Sequence, residues 1–147
     1  MTGQAARVLV TAGAAGIGRA IAEAFAARGA RLWVVDVDAA ALDSCPADWR
    51  RDCLDVTDEA AVADLFTRLA AAWQGLDVLC ANAGIAGPTA KVEDIALDDW
   101  RRCVSVNLEG AFLFAKHAAP LMKAPGSGAM VLVSSTAGIY GYPNRAP

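Results

Sequence analysis

The chain contains 147 residues, a length that fits one domain and permits a substantial hydrophobic core. Its formal net charge is -3 and its lysines and arginines are spread along the chain, which argues against nucleic acid or an anionic membrane as a partner. The four cysteines have no C-x-x-C spacing and the chain has a single histidine, so no metal site is expected and a reducing, cytoplasmic setting is favoured. No apolar stretch approaches the ~20 residues of a membrane-spanning helix, so a soluble protein is expected.

Short apolar runs rich in β-branched residues alternate with longer amphipathic runs along the chain. This alternation predicts an α/β fold with a parallel sheet, and the near-continuous apolar character of most short runs predicts strands covered on both faces. Cys53 and Cys80 lie in two of these runs and are expected to be buried as small hydrophobic residues. The predicted strands comprise residues 7–11, 31–36, 49–54, 77–81 and 129–134.

The first two predicted helices follow the first two strands. Ile17, Ile21 and Phe25 are spaced as one apolar stripe of a helix, and Gly29 follows as a helix stop. A second, shorter helix is predicted near residues 38–44. Helices in these places would connect neighbouring parallel strands.

The third and fourth predicted helices are longer. The third covers about residues 57–75, with acidic residues in its first turn. The fourth covers about residues 98–122, with Asp98 as its N-cap and Pro125 and Gly126 beyond its end. With right-handed crossovers, these elements predict one doubly wound, Rossmann-like sheet of about five strands in the order 3-2-1-4-5. The apolar face of the third helix comprises Val62, Leu65, Phe66, Leu69 and Trp73.

Small, polar or acidic residues follow all five predicted strands, at the edge where ligands bind in such sheets. The stretch TAGAAGIG, residues 11–18, follows the first strand and leads directly into a helix. Its glycines permit a phosphate to approach the backbone, and the free N–H groups of the helix start attract an anion. Asp36 follows the second strand, close to the ~20 residues beyond this turn at which a carboxylate holds ribose hydroxyls. The later strand ends carry Asp55-Val56, Asn82-Ala83-Gly84 and Ser134-Ser135.

Each of these features has a simpler interpretation when it is taken alone. The glycine-rich turn is compatible with an ordinary tight turn, Asp36 with a solvated strand end, and the Asn-Ala-Gly stretch with a loop. Their order along five strand ends suits a dinucleotide, and the charge of Asp36 would repel a 2′-phosphate. We therefore expect residues 1–147 to form a dinucleotide-binding Rossmann domain that prefers NAD(H) to NADP(H).

These motifs resemble those of the classical short-chain dehydrogenase/reductase family over essentially the whole chain. The family's T-G-x-x-x-G-x-G turn matches residues 11–18, and its D-V pair matches residues 55–56. Its N-N-A-G motif matches residues 81–84, and its V-N-L-x-G motif matches VNLEG around Asn107. The family's catalytic serine matches the second serine of the pair at the end of the fifth strand.

The resemblance implies a role for each matched residue. Ser135 would hydrogen-bond the substrate oxygen, with Ser134 as the alternative, and Asn107 would kink its helix and hold a water in the proton path. A bulky residue at Gly18 is expected to weaken cofactor binding more than folding. The implied cofactor-binding residues are Thr11, Gly13, Gly16, Ile17, Gly18, Asp36, Asp55, Val56, Asn82, Ala83 and Gly84.

The chain departs from the family pattern at three places. Ala12 stands where the first glycine of the turn is usual, and Ala81 replaces the first asparagine of N-N-A-G. The family's Y-x-x-x-K motif, whose tyrosine exchanges the proton, would begin immediately beyond Pro147. Tyr140 and Tyr142 have no lysine four residues further on and are interpreted as loop or pocket-lining residues. We therefore expect the chain to be incomplete at its C-terminus.

The resemblance implies an NAD(H)-dependent oxidoreductase that transfers a hydride between nicotinamide and an alcohol or carbonyl substrate. Two alternatives stay open, namely a truncated, inactive dinucleotide-binding module and an interaction protein that reuses the fold. The resemblance also implies a small-molecule substrate, no nucleic-acid or membrane partner, and a homo-oligomer, either tetramer or dimer, when complete.

In the predicted strand order, residues 130–133 form an exposed sheet edge.

Overall fold

The computed structural model describes residues 5–123 and 128–146, which form a parallel sheet with helices on both faces. The strand order is β3-β2-β1-β4-β5, and every paired strand runs parallel to its neighbour. The predicted fold class and strand order are therefore confirmed. The strands are β1 (Arg7–Thr11), β2 (Arg31–Asp36), β3 (Arg50–Cys53), β4 (Val78–Ala81) and β5 (Ala129–Leu132).

Five α-helices and one π-helical segment connect these strands in the described part of the chain. The predicted helix over residues 98–122 is a single long helical segment whose middle, Ser105–Gly110, has π geometry. The α-helices are α1 (Gly16–Ala26), α2 (Ala39–Asp43), α3 (Glu59–Trp73), α4 (Leu97–Val104) and α5 (Ala111–Lys123).

The hydrophobic core lies on both faces of the sheet. Successive strand residues point to opposite faces, so Leu9 belongs to the cluster beneath α3 and α5, whereas Val8 and Val10 belong to the cluster beneath α1 and α2. The central strand β1 is buried along its whole length. This two-sided burial is the reason that the strands appear in the sequence as near-continuous apolar runs.

Helix α3 follows its sequence pattern closely. The Asp58 side chain caps its N-terminus by accepting a hydrogen bond from the N–H of Ala61 at 3.0 Å. Gln74, at φ 57°, ends the helix in the left-handed conformation. The predicted apolar face is confirmed, because all five of its residues are buried.

Three local predictions are wrong. Ile17 is 70% exposed, because the first turn of α1 projects beyond the carboxyl edge of the sheet, while Ile21 and Phe25 are partly buried as predicted. Asp98 is not the N-cap, because the extended residue Ala96 precedes a helix that begins one residue before Asp98. Cys53 is exposed, since β3 is an edge strand. The predicted helix stop at residues 125–126 lies outside the described residues.

Strand β5 forms the other edge of the sheet, as predicted. Val131, Leu132 and Val133 at this edge are 48%, 56% and 42% exposed. Within the described ranges, no helix combines the length and apolar character needed to cross a membrane.

Candidate active site

The glycine-rich turn after β1 is joined directly to the end of β4. The Thr11 hydroxyl is buried and accepts hydrogen bonds from the backbone N–H groups of Asn82 and Ala83, at 2.9 and 2.8 Å. The Asn82 side-chain amide donates in return to the carbonyl of Thr11, at 3.2 Å. Thr11 and Asn82 therefore hold the end of β1 and the end of β4 together, and both predicted residues lie at this junction.

Gly18 is required by close packing beneath this turn. A Cβ atom at Gly18 would lie 2.0 Å from the carbonyl oxygen of Ala12 and 2.7 Å from the side-chain amide of Asn82. Gly13 is similarly confined, because a Cβ there would lie 2.9 Å from Val34. A larger residue at Gly18 must displace backbone. We therefore expect it to destabilise the fold, and not mainly to weaken cofactor binding as the sequence suggested.

The first turn of α1 presents its backbone to solvent. Gly16 has a φ of +53° with open space around it, and Gly16 and Ile17 are both exposed. The N-cap residue Ala15 supplies no side-chain hydrogen bond. The N–H groups of a helix start have no partners within the helix, so this turn offers donors to an anion at the carboxyl edge of the sheet.

Asp36, at the end of β2, is oriented by the backbone on both sides. One carboxylate oxygen accepts from the N–H of Ala14 at 3.1 Å, and the other accepts from the N–H of Asp38 at 3.2 Å. Each oxygen retains capacity for a further donor, because a carboxylate oxygen carries two lone pairs. The carboxylate is thus held beside the glycine-rich turn and faces the cleft described next.

A cleft of about 330 Å³ lies at the carboxyl edge of the sheet. Residues from the ends of four strands line it, together with residues from α4 and the π segment. Of the predicted cofactor-binding residues, the cleft brings together Asp36, Asp55, Val56, Ala83 and Gly84.

The floor of the cleft near β3 depends on two contacts. Asp55 is exposed, and one of its carboxylate oxygens accepts from both the N–H and the hydroxyl of Thr57, at 2.9 and 2.8 Å. Val56 is buried against the π segment, where a Cβ at Gly110 would lie 2.8 Å from its side chain. The Val56 side chain therefore packs closely against the backbone of the π segment.

Asn107 lies in the π segment and holds the loop after β4. Its side-chain oxygen accepts from the N–H of Ile85 at 2.8 Å, and its side-chain amide donates to the carbonyl of Ile85 at 3.0 Å. Gly84 fits beside it, since a Cβ there would lie 3.3 Å from the same Asn107 oxygen. Single π turns within longer helices are frequent at functional sites.

Ser135 and Asn107 line a second pocket of about 440 Å³, named here the serine pocket. The Ser135 hydroxyl oxygen accepts from the N–H of Ala137 at 3.2 Å, at the start of the 3-10 turn Thr136–Gly138. The geometry favours Ser135 over Ser134, because Ser134 is not among the residues that line this pocket. Ser135 and Asn107, far apart in the sequence, are thus brought together.

Four lining residues were missed or only partly anticipated by sequence reasoning. Ile85 lines both the cleft and the serine pocket, and Arg102 lines the cleft. Tyr142 lines the serine pocket, in agreement with one of its two interpretations, and Arg145 lines it too. The sequence signal for these residues is weak, because they lie in loops or on an exposed helix face with no characteristic spacing.

A sequence model of the short chain dehydrogenase family matches residues 6–147. The chain belongs to this family. Members of the family bind a nicotinamide cofactor.

Several characterised proteins are similar to this chain. Cis-4-hydroxycyclohexanecarboxylate dehydrogenase from Sinomonas cyclohexanicum is 46% identical, over 97% of this chain and 60% of the relative. A 2-dehydro-3-deoxy-L-rhamnonate dehydrogenase (NAD(+)) from a Sphingomonas species is 37% identical, over 94% of this chain and 57% of the relative. The crystal structure of an NAD+-bound xylitol dehydrogenase superimposes with a TM-score of 0.90 at 31% identity, over 95% of this chain and 56% of that one. The chain therefore spans roughly three fifths of the length of the relatives it matches.

Proposed function

We propose that this chain is the dinucleotide-binding domain of an NAD(H)-dependent oxidoreductase that interconverts an alcohol and a carbonyl compound. The observation that carries the proposal is the cleft at the carboxyl edge of the sheet, where Asp36 stands beside the glycine-rich turn and the exposed start of α1. Ligands bind at this edge in doubly wound sheets. Named relatives are dehydrogenases or reductases, which supports the reaction class.

The residues around the cleft fit a dinucleotide. The N–H groups at the start of α1 suit a pyrophosphate, and the carboxylate of Asp36 suits the paired hydroxyls of an adenosine ribose. The same carboxylate would repel a 2′-phosphate, and the neighbouring residues Ala15 and Val37 provide no positive charge to offset it. These properties favour NAD(H) over NADP(H).

The serine pocket supplies the groups that would orient the substrate. The Ser135 oxygen already accepts a hydrogen bond from Ala137, so its own O–H is available to donate to a substrate oxygen. The Asn107 side chain forms two hydrogen bonds with the backbone of Ile85. These bonds hold Ile85 in place between the cleft and the serine pocket. When bound, the nicotinamide supplies hydride transfer, and the chain's own residues fix where the reacting carbon lies.

We further propose a small-molecule substrate and a homo-oligomeric assembly, either tetramer or dimer. Of the three similar proteins reported above, two are named for compounds that carry a carboxylate, a hydroxycyclohexanecarboxylate and a deoxyrhamnonate, and the third is named for the neutral polyol xylitol. Assembly is supported by large apolar residues exposed along the helical segment from α4 to α5, namely Leu97, Trp100, Leu108 and Phe112.

A cytoplasmic location is also part of the proposal. All four cysteines lie in the described part of the chain and are unpaired. Free thiols persist in a reducing compartment.

Cofactor titration tests the proposal. Intrinsic fluorescence quenching with NADH and NADPH should show tighter binding of NADH, and Asp36→Ala should narrow that preference by about tenfold, as expected for loss of one charge-assisted contact. Asp48→Ala is the matched control, because Asp48 is an exposed acid that precedes β3 at the opposite edge of the sheet. Equal or tighter binding of NADPH to the unmodified protein would overturn the cofactor assignment.

A further inference from the structure

The serine pocket is lined by apolar, small and hydroxyl-bearing residues and by a charged side chain. Ser135, Thr136 and Tyr142 contribute hydroxyl groups to the wall. Among the described residues that line it, Arg145 is the one with a charge, and no Asp or Glu is present. The wall beside Ser135 is therefore polar and carries a formal charge of +1.

The Arg145 guanidinium has unused hydrogen-bonding capacity. One of its terminal nitrogens donates to the carbonyl of Ala86 at 3.2 Å. It forms no ion pair with any residue that the structure describes, whereas Arg101 and Arg68 each pair with a nearby carboxylate. A guanidinium has five N–H donors, so most of the donor groups of Arg145 are available to a ligand.

Arg145 is held in place by contacts of its own segment. The carbonyl of Asn144 accepts from the N–H of Ala90 at 3.1 Å, which joins this segment to the loop after β4. The N–H of Arg145 donates to the carbonyl of Tyr142, at 3.3 Å. The hydroxyl groups of Tyr142 and Thr136 lie 3.1 Å apart. The guanidinium thus stands on a cross-linked loop and not on a free tail, which reduces the entropy lost when it binds an anion.

We propose that Arg145 binds a carboxylate of the substrate, so that the protein acts on hydroxy acids and the corresponding oxo acids. This inference rests on the proposed function, since it assigns the alcohol or carbonyl oxygen to Ser135 and the acid group to Arg145. A planar guanidinium matches the two oxygens of a carboxylate, and a charge-assisted pair of this kind is stronger than a neutral hydrogen bond. The absence of a competing acid among the described lining residues leaves the charge of Arg145 to the ligand.

A purely structural role for Arg145 predicts different behaviour. If its contact with Ala86 only joined two loops, its removal would lower thermal stability and affect neutral and anionic ligands alike. A carboxylate-binding role predicts selective loss for the anion. The two roles can therefore be distinguished by whether the loss of affinity is limited to anionic ligands. Arg145→Lys retains the positive charge, so it should keep part of the preference for anions that Arg145→Ala loses.

The test is a calorimetric titration of the NADH complex of the full-length protein with cyclohexanecarboxylate and with the neutral cyclohexanecarboxamide. The unmodified protein should bind the carboxylate more tightly than the amide, and Arg145→Ala should weaken carboxylate binding about tenfold to hundredfold while amide binding stays unchanged. Arg28→Ala is the matched control, because Arg28 is exposed after the C-terminal end of α1, at the opposite edge of the sheet.

Each outcome of this titration bears on a stated claim. Unmodified protein that binds NADH but does not distinguish the two ligands overturns the carboxylate inference and leaves the proposed function standing. Arg145→Ala protein that retains NADH affinity and carboxylate preference also overturns it. Unmodified protein that binds no NADH overturns the proposed function, and the inference falls with it. Thermal unfolding shows whether Arg145→Ala remains folded. If it does not, the comparison of carboxylate with amide binding is made with Arg145→Lys, which retains the charge.

Discussion

Ala12 and Gly18 show at the residue scale how the glycine-rich turn is built. Ala12 is held at a φ of 48°, in the left-handed region that favours glycine, and its carbonyl oxygen lies 2.0 Å from the position that a Cβ atom of Gly18 would take. The family pattern has glycine at the position of Ala12. The chain therefore carries local backbone strain at one position and a strict size limit at the other.

Gly18→Ala should destabilise the protein by about 2 kcal/mol or more, because the added methyl group meets backbone that can yield only by moving the turn. Gly16→Ala is the control within the same turn. It meets no atom within 4 Å and should cost only about 1 kcal/mol, from its positive φ. Urea unfolding of both variants measures the difference. A Gly18→Ala variant as stable as Gly16→Ala would contradict the packing role.

Ala12→Gly should raise stability by up to about 1 kcal/mol, since glycine adopts a positive φ without the steric cost that alanine incurs. The gain is reduced by the greater freedom of glycine in the unfolded chain. Thermal unfolding measures this as a rise of about 2–4 °C in Tm for a chain of this size. A lower Tm would show that Ala12 contributes packing that outweighs its strain.

Arg7 joins three structural elements at the amino edge of the sheet. Its guanidinium donates to both carboxylate oxygens of Asp77, at 2.8 Å each, and to the carbonyl of Trp73 at the end of α3, at 2.9 Å. A Cβ at Gly75 would lie 2.6 Å from this guanidinium. The beginning of β1, the approach to β4 and the last turn of α3 are therefore fixed by one side chain, at the edge opposite the cleft.

The stability of this junction should depend on pH. Hydrogen bonds from the Arg7 side chain lower the pKa of Asp77. Because the folded-state pKa is depressed, the stabilisation is fully present above the unfolded-state value of about 3.9 and is lost as the pH falls through the folded-state pKa.

Asp77→Asn should therefore be less stable than the unmodified protein at pH 7, with the difference shrinking below about pH 4. Urea unfolding at pH 7 and pH 3 measures it. Asp64→Asn is the control, since Asp64 also pairs with an arginine but is largely exposed. A stability difference for Asp77→Asn that does not change with pH would exclude the ion pair as its source.

At the scale of the whole molecule, apolar residues of the long helix are exposed while both faces of the central strand are covered. Leu108 and Phe112 are 67% and 60% exposed on a helix whose other side packs into the core. Exposed apolar residues grouped on one element favour contact with another protein surface.

Phe112→Glu should therefore reduce the number of subunits in the assembly of the full-length protein, because a charge at the proposed interface would be buried without a partner. Sedimentation velocity should show an oligomer for the unmodified protein and a smaller species for the variant. Val92→Glu is the control, because Val92 is 72% exposed in a 3-10 turn outside this helix. A monomeric unmodified protein would contradict the proposed assembly.

Much of the fold was predictable from local sequence patterns. The bounds of β1 and β2 match the predicted ranges, because both strands are buried runs of apolar residues. The buried face of α3 also matches, because helical periodicity and an acidic N-cap lie within one short segment. Ile17 and Cys53 were mispredicted because their exposure depends on where the sheet ends and not on their neighbours in the sequence.

The strand-end motifs of the candidate site could be found in the sequence, but their contacts and the lining residues Ile85, Arg102 and Arg145 could not. The sequence by itself determined the order of the strand-end motifs, because each motif directly follows an apolar strand. Only the tertiary structure decided that Thr11 binds the backbone of Asn82, 71 positions away, and that Arg145 reaches Ala86, 59 positions away. The physical reason is that strand and helix patterns arise from neighbouring residues, whereas these hydrogen bonds form only after distant segments have packed against the same edge of the sheet.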